Sequence, residues 1–441
     1  MCHELQHSYH FSDNKGSNLI EELPMSLNKH KLLRVNPERL WQRHIDMSKL
    51  GATNRGGVNR AALTIPDVEL HLKLASWAKT RNFEVEIDDY GNQFMRRAGS
   101  VPQCHALVSG SHSDTQPTGG RFDGISGVLA AVEALEVIDD AQICTRHPIE
   151  VVVWNNEEGT RFSPSAMGSA VYVGQTPIER MLAATDDEGV SMAIAVNTLR
   201  ASIDWAIKRQ LGTPISAYLE LHIEQGPILE NENIDIGIVT GIQGTRKFEV
   251  RVTGEEAHAG TTPESNRQDA FMDAVKVVNA LQEIFLDPED KVRFTIGRFE
   301  VSPGSLAVVP GHVLFTIDFR HPENTVLQTL GDQVAEVCKK TATRCTTEVV
   351  ETRSAPSTLF GSVIQEVIEE CAKQRTYSFK YLPSGAGHDA RYMNSFCPTG
   401  MVFVPCHKGI SHNEKEYASP DSLGKGAQIV VDALLMLDGL I

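Results

Sequence analysis

Four apolar runs, at 106–109, 149–154, 217–223 and 401–404, each give way to a stretch rich in histidine or carboxylate side chains. Between and after them lie amphipathic stretches of helical period, at 124–137 and 422–437. Strands that alternate with helices specify a largely parallel sheet, and such sheets build their sites just beyond the C-terminal ends of the strands. The expected fold class is therefore α/β.

The middle of the chain breaks this rhythm. Residues 247–252, 292–299 and 313–319 alternate apolar and polar side chains, and 268–285 and 325–341 read as long helices. This pattern predicts a smaller α+β layer inserted into the parallel-sheet domain. The expected division is 1–243 for the first part of the main domain, 244–351 for the insertion and 352–441 for the second part. A length of 441 residues agrees with more than one core. The polar start, with His3, His7 and His10, reads as a loosely ordered tail over 1–35. Order is expected to begin at Asn36-Pro37, a cap followed by proline, with a second helix opening near Thr64.

Net charge is −16, which argues against nucleic acid and anionic membrane as partners. No apolar run approaches the roughly 20 residues that span a bilayer. Eight cysteines are scattered without a CxxC pair, which suggests reduced thiols and a cytoplasmic location.

The ligand-type residues fall in four segments. Gly110-Ser-His112-Ser-Asp114 is followed by Gly119-Gly120-Arg-Phe-Asp123-Gly124, where two glycines let the loop fold back and bring His112 and Asp123 toward one point. The run 151–154 ends in Asn155-Asn156-Glu157-Glu158; consecutive residues outside a helix diverge, so one glutamate can hold a cation while the other faces a reacting water. His222 lies between Glu220 and Glu224, acids that can support its ring. His412 follows the last run. Each piece alone has an ordinary structural reading: a hydrogen-bonded core histidine, a solvated acidic pair, a helix cap. Four such segments at four strand ends point instead to one metal site, and imidazole with carboxylate suits several divalent ions.

Read together, GSHSDT, GGRFDG, NNEEGTRF, LHIEQGP, HAGTTP, SGAGHDA and GISHNEKE resemble the dinuclear metal amidohydrolases related to β-alanine synthase (β-ureidopropionase) and N-carbamoyl-L-amino-acid amidohydrolase, from about residue 36 to the C-terminus. Allantoate amidohydrolases are close relatives of that family. The resemblance implies a main domain interrupted by a lid that mediates homodimer formation. It implies two divalent ions, zinc foremost, with manganese, cobalt or nickel as alternatives. Asp123 would bridge them, His112 and His222 would complete one site, and Glu158 and His412 the other. Glu157 would be the general base, and His258, often from the partner subunit, would assist at the scissile carbonyl. Arg320 would hold the carboxylate of a small-molecule substrate, with Gln225 and Gly387 lining the pocket. The implied reaction splits the carbamoyl C–N bond of an N-carbamoyl amino acid into amino acid, ammonia and carbon dioxide. An allantoate-type activity is the alternative. A binding protein that kept the fold without catalysis is disfavoured, because every expected ligand and Glu157 are present. One departure stands out: Ala307 occupies the place where carbamoylases carry a substrate-binding asparagine.

Overall fold

Continuous apolar sequence fits strands covered on both faces. In the computed structural model, which describes residues 33–441, the four runs are neighbours. Ala106–His112 pairs parallel with Ile149–Trp154 on one side and with Ile215–Ile223 on the other, and Thr399–Val404 pairs parallel with Ile215–Ile223. Every residue of Ala106–His112, Ile149–Trp154 and Thr399–Val404 is buried. Among the described residues the sheet has ten strands, and antiparallel partners flank the parallel centre: Gln93–Arg97 beside Ile149–Trp154, and Ile236–Ile242 beside Thr399–Val404. The histidines at positions 3, 7 and 10, and most of the expected tail, lie outside the described residues.

Helices Ile125–Asp140 and Pro420–Leu440 pack with the sheet into the main core, which includes Leu129, Leu135, Val151, Leu221, Val430 and Leu434. The second helix starts where chemistry dictates: Ser419 Oγ accepts from Ser422 N at 3.0 Å and Pro420 takes the first position. The first lies close on the strands because Gly127 has no side chain; a Cβ there would meet Leu221 O at 2.4 Å. Trp154 and Phe162 are fully buried, as core residues and not substrate contacts.

Residues 244–355 contribute a separate antiparallel sheet in the order Arg293–Ser302, His312–His321, Gly244–Thr253, Thr346–Ala355. Helices Ala270–Ile284 and Asn324–Thr341 cover one face, around Phe248, Val250, Val277, Phe315, Phe319 and Val334. Part of the other face, at Thr245, Lys247, Arg320 and Arg353, borders a cleft against the main sheet.

The first described helix, Pro37–Met47, is capped by Asn36, whose side chain accepts from Arg39 N. It carries Trp41 and His44 onto Phe122, with ring centroids 5.9 and 5.6 Å from that ring. Burial pushes the His44 imidazole down to about 3. A folded-state value below the unfolded one means the stability is complete above the unfolded value and is lost as pH falls toward about 3. His44→Phe should therefore flatten the acid limb: between pH 6.5 and 5 the native protein should lose about 2 kcal/mol more than the variant. Urea unfolding at a series of pH values checks this, and parallel slopes would refute it.

Candidate active site

The parallel centre of the sheet brings the ligand-type side chains to one edge. His112 ends its strand, Asp123 precedes helix Ile125–Asp140, Glu157 and Glu158 follow Ile149–Trp154, His222 is next to last in Ile215–Ile223, and His412 lies beyond Thr399–Val404. Two groups result, His112/Asp123/His222 and Asp123/Glu158/His412, each with ligand atoms within 4.8 Å of one another. Asp123 belongs to both. Its Oδ1 is 3.1 Å from His222 Nε2 and 3.6 Å from His112 Nε2, while its Oδ2 is 3.4 Å from His412 Nε2. His412 Nε2 is also 3.6 Å from Glu158 Oε2. His112, Glu157, Glu158 and His412 all line one cleft of about 220 Å³.

The ring orientations suit cation binding. His112 Nδ1 faces Asp114 O at 3.0 Å and His222 Nδ1 faces Ile223 O at 2.9 Å. Carbonyls only accept, so each Nδ1 carries a proton, and Nε2 is the ring nitrogen turned toward Asp123 and the cleft. The acids flanking His222 do not hold its ring. Glu220 accepts instead from Ser111 Oγ, Tyr218 OH and Ala390 N, and Glu224 accepts from Ile228 N and Leu229 N. The expectation that they support the imidazole by hydrogen bonds is corrected: Glu220 shares the strand face of His222, but its oxygens are taken by Ser111, Tyr218 and Ala390, and Glu224 turns to cap the next helix.

Two carboxylates given no role from sequence organise the site. Asp114 accepts from Glu157 N at 3.1 Å and Glu158 N at 3.0 Å, fixing the adjacent glutamates. Glu416 Oε1 accepts from Phe122 N at 2.9 Å and Asp123 N at 3.0 Å, while its Oε2 accepts from Ser411 Oγ at 2.9 Å. A buried acid joining two loops almost 300 residues apart leaves no local pattern. The nearest signal is the acid-rich run from Glu414 to Glu416.

Charge is crowded here. Burial pushes the Glu157 carboxyl well above the usual range; His112 opposes this and Asp389, Glu158 and Asp114 add to it. Burial and the nearby Asp123 push Glu158 up to about 7. Burial alone would raise Asp123, but hydrogen bonding to His112, His222 and His412 holds it well below the ordinary value. The hydrogen bond to Asp123 raises His412 to about 9. Such a convergence of acids is unfavourable on its own, and a divalent cation relieves it. The nitrogen and oxygen donors therefore fit a metal.

The remaining expected residues divide. Gln225, Arg320 and Gly387 line the cleft. Gln225 also donates from Nε2 to Asp123 Oδ2 at 2.8 Å and to Ser411 Oγ at 3.0 Å. It holds φ +55 and His412 φ +54, left-handed values that side chains other than glycine seldom take and that gather at functional sites. Arg320 is fixed by Asp318 and by Gly385 O. His258 is exposed on the short strand Ala257–His258 and is absent from the cleft lining; its Nδ1 accepts from Gly260 N and Thr261 N. Gly124, at φ +65, lies against His112, and a Cβ there would fall 2.3 Å from the ring. Gly124→Ala should displace His112 and lower metal content and activity by about tenfold or more. Metal analysis of the folded variant tests this.

The sequence profile of Peptidase family M20/M25/M40 matches residues 108–436. The chain belongs to that family. Within M20/M25/M40 it is 37% identical to an N-carbamoyl-L-amino-acid amidohydrolase of Rhizobium meliloti, over 91% of this chain and 96% of that one. It is 33% identical to an allantoate amidohydrolase of Bacillus subtilis, over 89% and 95% respectively. A crystal structure of an amidase of the hydantoinase/carbamoylase family from Burkholderia multivorans superposes with a TM-score of 0.86 at 42% identity, covering 92% of this chain and 98% of that one. This M20/M25/M40 member is a hydrolase acting on amide C–N bonds. Among its described residues, no helix is long and apolar enough to cross a membrane, and Cys104, Cys144, Cys338, Cys345, Cys371, Cys397 and Cys406 are free thiols.

Proposed function

We propose that this hydrolase removes the carbamoyl group from N-carbamoyl amino acids, giving amino acid, ammonia and carbon dioxide. The observation that carries the reading is Asp123 shared between two ligand groups, with Glu157 beside them and Arg320 in the same cleft. The similarity to N-carbamoyl-L-amino-acid amidohydrolases supports the choice of substrate.

His112, Asp123 and His222 would hold one divalent ion, and Asp123, Glu158 and His412 a second, zinc by preference. Ions held there would supply Lewis acidity to the ureido carbonyl and to a water. Glu157 is the proton carrier. Its Oε2 is 3.7 Å from His112 Nε2, inside the cleft. Its place in the cleft beside both ligand groups supports a role in which it takes the proton of the attacking water and returns it to the departing nitrogen. Arg320 presents a planar fork to the substrate carboxylate. His258 enters from a second copy of the chain in a homodimer. With Nδ1 accepting two backbone N–H groups, its Nε2 carries the proton and donates to the developing oxyanion. The insertion around residues 244–351 acts as the lid. The free thiols support a cytoplasmic location.

A panel of N-carbamoyl-L-amino acids, N-carbamoyl-β-alanine, allantoate and N-acyl amino acids, read by ammonia or amine release, tests the proposal. Highest kcat/KM on an N-carbamoyl amino acid supports it. Exclusive cleavage of N-acyl amino acids overturns it. Allantoate is the second reading, favoured by the Bacillus subtilis relative and by Ala307 at the position of the usual asparagine.

A further inference from the structure

The wall of the cleft formed by the inserted sheet carries more positive charge than one substrate carboxylate needs. Lys247, Arg320 and Arg353 come from three neighbouring strands, and Arg391 joins them from the main domain; all four line the cleft. Strand register places Lys247 directly opposite Arg353 on one side and Asp318 on the other. Like charges directly opposed across an antiparallel pair destabilise a sheet. Asp318 serves both Lys247, at 3.0 Å, and Arg320, at 3.1 Å. Arg391 donates to two backbone carbonyls, those of Pro356 and Gln243, so its charge is not neutralised. The Arg353 side chain has no hydrogen bond or ion pair among the described residues. The field is felt locally: burial lowers the Arg391 guanidinium, and Arg353 and Arg320 lower it further. A charge arrangement that costs the empty fold stability belongs to a ligand that removes the cost.

We propose that Arg353, with Lys247 and Arg391, forms a second anion subsite beside Arg320, and that the preferred substrates are N-carbamoyl amino acids whose side chain carries a carboxylate. The inference rests on the carbamoyl-cleaving reading and adds the side-chain class. Arg320 takes the α-carboxylate. The second carboxylate is drawn into the space between Lys247 and Arg353, where two cations and one shared acid leave positive charge uncompensated.

The test compares isosteric pairs on the purified holoenzyme: N-carbamoyl-L-aspartate against N-carbamoyl-L-asparagine, and N-carbamoyl-L-glutamate against N-carbamoyl-L-glutamine. The acid of each pair should be favoured by roughly tenfold or more in kcat/KM, mainly through KM, because the amide lacks the charge. R353Q should bring the acid-to-amide ratio toward one, and R353K should restore most of it. Arg353 is an exposed strand residue, and a thermal melt matching the native one confirms that R353Q is folded. Equal rates on acid and amide in the native enzyme, or an unchanged ratio in folded R353Q, overturn the subsite while leaving carbamoyl cleavage in place. Failure to cleave any ureido acid overturns both.

Discussion

Glu157→Gln is expected to reduce kcat by about 10²–10⁴-fold, with metal content and melting temperature close to those of the native protein. The side chain belongs to neither group of candidate ligands, so its loss leaves both intact. Asp114 holds the Glu157 backbone N–H, not the carboxyl, so glutamine keeps the local loop. What disappears is a carboxyl in the cleft beside both ligand groups. Glutamine keeps the shape and cannot cycle a proton. Rates within a factor of a few of native would remove Glu157 from the mechanism, and loss of metal would make it a ligand instead.

Asp123→Ala is expected to abolish activity for a different reason. Asp123 stands in both ligand groups, so a single substitution should empty both positions. It also removes the acceptor shared by Gln225 Nε2 and Ser411 Oγ. His412→Asn, by contrast, touches the Asp123/Glu158 group alone and should cost one ion of the two. Metal analysis after dialysis distinguishes them: near-zero occupancy for Asp123→Ala, about half the native content for His412→Asn. Equal losses in both variants would refute separate positions joined by one carboxylate.

The parallel centre of the sheet was legible because its strands are buried on both faces and therefore apolar throughout, as in 149–154 and 401–404. The strands Ile236–Ile242 and Thr346–Ala355 were not recognised. The first carries Gly237 and Gly241, residues rare in strands, which serve here because a Cβ would meet Phe403 Cβ at 2.9 Å and Thr358 O at 2.2 Å. The second is TTEVVETRSA, mostly exposed, without an alternating apolar face. The site followed the same logic. His112, Asp123, Glu158, His222 and His412 sit at ends of recognisable elements, and the fold gathers them. Glu416 and Asp114 act through backbone N–H groups of other segments, contacts that residue type does not announce. His258 is exposed and absent from the cleft lining of its own chain, a placement that its loop sequence does not reveal.

The clamp of Glu416 on Phe122 N and Asp123 N also dates the moment at which catalysis becomes available. Synthesis runs from the amino end, and among the described residues the strand that precedes His412 and Glu416, Thr399–Val404, is made after the other strands of the sheet. A nascent chain already holding His112, Asp123, Glu158 and His222 thus lacks both His412, the remaining candidate ligand, and the brace that Glu416 places beneath Asp123. A polypeptide stopped short of residue 412 would therefore carry most of the candidate ligands without the closed group around Asp123.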